Sequence, residues 1–161
     1  MDGSFYLSMT PKDEVEQLMN DGVEVATKML REDGEFYPFG VMKTAGGEIQ
    51  PFGVVKSAGG EVQHIEASEG SENPSSGELI AFVRERVRQQ AQAGNYVAIA
   101  MFYDVRIAPP GEKTKSDAVQ VELEHRSGYC ADVFFPYSRN KVGVVVFGET
   151  FANKREPTVF R

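Results

Sequence analysis

The sequence predicts an α+β domain: an antiparallel sheet with two helices packed mainly on one face, in the order helix, strands, helix, strands. Three observations lead there. Apolar residues recur at helical spacing around 15–30 and again around 79–91. The remaining apolar stretches are short and punctuated by Gly, Pro and polar turn residues, as strands are. Strands are also grouped between and after the helices instead of alternating with them singly, which favours hairpins over parallel crossovers.

Thr10-Pro11 opens the first helix, with threonine as N-cap, proline at the first helical position and Asp13 and Glu14 in the first turn. Val15, Leu18, Met19, Gly22, Ala26, Met29 and Leu30 then share one stripe, and Gly34 supplies the stop. The thirteen residues Pro38–Gln50 recur as Pro51–Gln63, changing only Met42 to Val55, Thr44 to Ser57 and Ile49 to Val62. Each copy reads as a hairpin turning at Ala-Gly-Gly. A two-residue turn at Ala45-Gly46 sets Lys43 opposite Glu48, Met42 opposite Ile49 and Phe39 opposite Phe52. Pro51 has no N–H for a ladder, so a bulge or break is expected near Gln50-Pro51, with one hairpin in the sheet and the other extending it or projecting as a flap. The duplication reads as a tolerated repeat of a self-contained unit, because two glycines lack the spacing and following helix of a phosphate loop.

Glu66–Glu78 is a polar loop ending in a capping-box pattern, Ser75-x-x-Glu78. Leu79, Ile80, Phe82, Val83, Val87 and Ala91 form the stripe of the second helix, closed by Gly94-Asn95. Tyr96–Ile107 is apolar on both faces until Asp104 and belongs in the middle of the sheet, with Ala98 and Ala100 small enough for a helix to approach. After the loop Ala108–Asp117, Val119, Val121, Leu123 and His125 alternate with Gln120, Glu122, Glu124 and Arg126, a half-buried strand. Ser127-Gly128 turns into Tyr129–Phe135, and Lys141–Phe147 gives the last strand.

With 161 residues, 41% hydrophobic and 25% charged, one domain with one core is expected. A net charge of −7 argues against nucleic acid and anionic lipid as partners. Among Arg84, Arg86 and Arg88 only the first and last share a helix face. One cysteine, Cys130, permits no intramolecular disulfide, and the chain shows neither a signal-peptide pattern nor a spanning apolar run, so a cytosolic protein is expected. Two histidines without ligand spacing give no metal site, and no cofactor is expected; His64 is expected to be exposed.

For chemistry, a two-residue turn at Ser127-Gly128 places His125 opposite Cys130, with Asp132 on the same face: a thiol, an imidazole and a carboxylate. The competing reading makes Cys130 a small buried hydrophobe. Asp104 and Arg106 form an internal ion pair at a strand end or, with Tyr103, line a pocket. Phe134 and Phe135 point to opposite faces, so the face away from the helices needs a cover: the segment from Glu149 onward, a second subunit, a ligand or a protein partner. The sequence favours a non-enzymatic module that binds another protein, one of basic character. A small-molecule sensor and a cysteine-dependent enzyme built on Cys130 and His125 are the alternatives.

Overall fold

A computed structural model of the chain describes residues 9–53, 55–56, 62–63 and 76–160, with the backbone alone at 52, 53, 55, 56, 62, 63, 76–80, 82 and 83. Its elements are α1 (Pro11–Asp33), β1 (Phe39–Thr44), β2 (Ile49–Gly53), β3 (Val55–Lys56), β4 (Val62–Gln63), α2 (Ser76–Gln92), β5 (Tyr96–Ile107), β6 (Ser116–His125), β7 (Cys130–Arg139), β8 (Val145–Phe147) and β9 (Phe151–Lys154). Seven strands form one antiparallel sheet in the order β2-β1-β5-β6-β7-β8, with β9 also paired to β7; β3 and β4 make a separate two-stranded ladder.

The start of α1 is built as expected. Thr10 Oγ1 accepts from Asp13 N at 3.0 Å, the Asp13 carboxylate accepts from Thr10 N at 3.1 Å, and Gly34 closes the helix at φ 81°. Its stripe of Val15, Leu18, Ala26, Met29 and Leu30 packs with Phe39, Val41, Ala98, Ala100, Phe102, Val119, Val121 and Leu123. Gly22 lies against Phe102, where a methyl group would overlap the ring, so the glycine lets helix and sheet approach closely.

The helices do not share a face. Val87 and Ala91 of α2 pack with Ile99, Met101, Tyr103 and Met42, the residues that alternate with those beneath α1. The physical reason is β5 itself: a strand apolar on both faces needs cover on both, and each helix supplies one side. The side chains of Leu79, Ile80, Phe82 and Val83 lie outside the described residues, as do residues 66–75 with the expected cap at Ser75, and His64; α2 begins at Ser76, inside the loop expected over 66–78.

Two hairpin loops depart from the two-residue reading, and among the described residues a third is built in the same way. In the first, Thr44 N donates to Glu48 O at 2.8 Å; in the second, His125 N donates to Tyr129 O at 2.8 Å; in the third, Asn140 N donates to Val144 O at 3.0 Å. Each loop therefore holds three residues and ends on a left-handed glycine, Gly47 (φ 92°), Gly128 (φ 106°) or Gly143 (φ 83°). Pairing shifts by one residue: Met42 faces Gln50 and Phe39 faces Gly53, while Lys43 faces Ile49 in place of Glu48.

Pro51 also sits differently. It pairs in register with Val41 inside β2, with no break at Gln50-Pro51. The strand tolerates it because β2 is the sheet edge. The first repeat copy is thus integrated, together with Pro51–Gly53 of the second; among the described residues the rest of the second copy, β3 and β4, forms a ladder of its own, and its Ala-Gly-Gly turn lies outside the described residues.

Candidate functional site

The strand β6, expected to be half-buried, is covered on both faces. Glu122 and Glu124 retain only 9% and 1% exposure. Over them lie α2 and the segment 155–160 that follows β9, and the covered carboxylates are neutralised locally. Arg84 Nη2 meets both Glu122 oxygens at 3.0 and 2.9 Å, and Tyr103 Oη donates to Glu122 Oε1 at 2.8 Å. Arg155 reaches Glu124 at 3.2 Å, Asp132 at 3.1 Å and Glu122 at 3.6 Å. The Asp132 contact is off the hydrogen-bond line, so Asp132 Oδ1, like Arg84 Nε, is buried without a hydrogen-bond partner.

Glu124 has a second task. Its carboxylate accepts from Thr158 N at 2.9 Å, from Val159 N at 2.7 Å and from Phe160 N. Three consecutive backbone donors converging on one anion form an anion-binding concavity, here used to fasten the chain to its own sheet. Val159 is 3% exposed and joins the α2-side core.

Burial, then the adjacent Glu122, pushes the Tyr103 hydroxyl well above the ordinary phenol range, so it stays a donor. Burial works against charge on Arg84, yet Tyr103 and Glu122 outweigh it and hold the guanidinium's pKa up. Asp132 is raised by burial and, despite Arg155, by Glu122 beside it.

The shared face expected for Cys130, His125 and Asp132 is not formed. The three-residue loop sets Cys130 opposite Glu124 and leaves His125 beside Tyr129. Cys130 and Asp132 consequently lie on the face of Glu122 and Glu124, and His125 on the face of α1. There Ser127 N donates to His125 Nδ1 at 3.0 Å, which fixes the proton on Nε2, facing Glu14 Oε1 at 3.0 Å. Lys43, 3.2 Å from Glu14, completes this group. Burial opposes the charge on Glu14, but hydrogen bonds from His125 and Lys43 prevail and lower its pKa.

Cys130 lacks both a base and a thiolate-stabilising charge balance. Burial, followed by Glu124, pushes the thiol up to about 11. Against the ordinary 9.0, native-state alkylation at mildly alkaline pH is expected to run about a hundredfold slower than in the unfolded chain. A native rate equal to the unfolded one would contradict this placement.

The remaining expected residues also separate. Asp104 and Arg106 form no ion pair: Tyr137 Oη donates to Asp104 at 2.8 Å, while Arg106 pairs with its cross-strand neighbour Asp117 at 3.1 Å. Burial raises the Asp104 carboxyl, opposed by that Tyr137 bond. Tyr103 faces the other side, so the three residues line no common pocket. Phe134 stacks on Phe151 at 4.9 Å and Phe135 meets Phe147 edge-on at 6.1 Å, so β9 and β8 cover the two aromatics.

A cleft of about 370 Å³ opens beside β8, lined among others by Pro109, Pro136, Val146 and Phe151 with Glu112 and Glu149. Next to it Val142, Val144 and Val146 are 81, 47 and 47% exposed. The last strand, expected at Lys141–Phe147, is confined to Val145–Phe147, with Val142 in the turn before it. The alternation of valine with Gly143 and Val145 is a legible sign of one exposed side.

Among the described residues no group of His, Cys, Asp and Glu has the arrangement of a metal site, and no helix is long and apolar enough to cross a membrane. The fold and these sites define an α+β protein with a two-sided sheet, a buried ion network and an exposed valine edge. Comparison with protein-family models, curated proteins and solved structures returns no significant match to the chain.

Proposed function

We propose that the chain is a non-enzymatic protein-binding module that receives an extended, basic segment of a partner along the outer edge of β8. The observation that carries this reading is an exposed valine at every second position, Val142 in the turn, Val144 just before β8 and Val146 within it, at the end of the sheet. An edge strand offers unpaired backbone groups to an added strand, and alternate side chains supply the apolar contact. Glu112 and Glu149 in the adjoining cleft, with a net charge of −7, favour a basic partner.

The test is selection of displayed random peptides on the intact chain and on a Val144→Lys/Val146→Lys variant, both checked for an unchanged melt. Enrichment of basic, β-branched sequences on the intact chain alone is expected. No enrichment, or the same enrichment on both, would rule the edge out.

A second reading, a small-molecule sensor, draws on Ser116, whose buried Oγ has no hydrogen-bond partner and which lines the same cleft. It calls for a melting shift with a metabolite panel.

A further inference from the structure

The segment 155–160 is held unlike the strands around it. It joins no ladder of the sheet. Its attachment comes from an arginine among three carboxylates, three backbone N–H groups on one of those carboxylates, and a valine in an apolar pocket of Met42, Val87, Ile99 and Met101. Arg155 also donates to Thr158 Oγ1 within the segment; its other contacts, and those of the three backbone N–H groups, run to carboxylates of the groove between α2 and β5–β7, where Val159 finds its pocket. That arrangement is the one found where a protein recognises a peptide.

Charge makes the groove dependent on its occupant. Arg84 pairs with Glu122, whereas the ion pairs of Glu124 and Asp132 are both made by Arg155. A matching cation must enter with whatever fills the groove.

We infer that this groove is a recognition site for an extended segment carrying arginine and, four residues later, valine, and that the partner it fits is segment 155–160 of a second copy of this chain. Every copy carries the complementary segment directly after β9. Reciprocal exchange between two copies closes a symmetric pair in which each contact made within one chain is reproduced between chains. The groove is separate from the β8 edge proposed above, so either can fail alone.

The experiment uses the full chain and a fluorescent peptide of sequence Arg-Glu-Pro-Thr-Val-Phe, read by anisotropy. Val159→Ala loosens the resident segment and leaves the carboxylates intact; Arg155→Ala serves as the second variant. Saturable binding to these chains is expected, at least about tenfold tighter than to the unaltered chain, whose own segment competes. A peptide with alanine for its arginine should bind at least about tenfold more weakly. In parallel, sedimentation of the unaltered chain at millimolar concentration should show a dimer. A flat titration with a cooperatively melting Val159→Ala chain, equal binding of the arginine-free peptide, or a chain that stays monomeric at millimolar concentration would overturn the inference.

Discussion

Glu124→Ala is expected to destabilise the protein by about 3–5 kcal/mol, the range for removing one partner of a buried ion pair. At about 2–4 °C per kcal/mol for a chain of this size, the melting temperature should fall by roughly 6–20 °C. The carboxylate is 1% exposed and fastens segment 155–160 to the sheet. Its loss strands the N–H groups of Thr158, Val159 and Phe160 and removes a partner of Arg155. Arg155 keeps Asp132 and Glu122, so the residue that suffers most is Val159, whose burial depends on the fastening. Glu124→Gln retains an accepting oxygen and the side-chain shape, and should lose less. A loss below about 1 kcal/mol for the alanine variant, the value of a single ordinary hydrogen bond, would show that the apolar contacts and the remaining ion pairs of Arg155 suffice to hold the segment.

Gly22→Ala should lower stability by about 2 kcal/mol, although alanine is the better helix former by about 1 kcal/mol. The added methyl would overlap the ring of Phe102. That ring has no free space to yield into: it is 0% exposed and stacked on Phe39 with centroids 4.8 Å apart and planes 8° from parallel. Overpacking of a closed site therefore outweighs propensity. Combining Gly22→Ala with Phe102→Leu should recover part of the loss relative to the sum of the single changes, because the two residues occupy one space. A rise in melting temperature for Gly22→Ala alone would mean that helix and sheet separate freely there.

Both effects arise where local and tertiary information meet. Gly22 was legible as a member of the apolar stripe of α1, but its partner was not, since Phe102 lies in another element. Glu124 was read as a solvent-facing residue because alternation in β6 puts it opposite Val121 and Leu123. Alternation reports which residues share a face; it does not report whether the second face meets water or another layer.

The candidate triad failed for a more local reason. Cys130, His125 and Asp132 were grouped by assuming a two-residue loop at Ser127-Gly128. The addition of one residue to the loop shifts the register by one, and one step along a strand exchanges faces. The same change moved Lys43 away from Glu48 and toward Glu14. The glycines at 47, 128 and 143 were visible throughout, but the sequence leaves open which position of the turn takes the left-handed conformation.

By itself the sequence determined the two helices, the capped start and glycine stop of α1, the antiparallel character of the strands and the central place of β5, because these follow from periodicity, capping chemistry and turn residues acting over a few positions. Only the tertiary structure decided that α2 lies opposite α1, that segment 155–160 covers the charged face of β6, and that Glu122, Glu124, Asp132, Arg84 and Arg155 meet. Those outcomes depend on hairpin register and on two faces of one strand competing for cover, and both are settled by contacts between residues far apart in the chain.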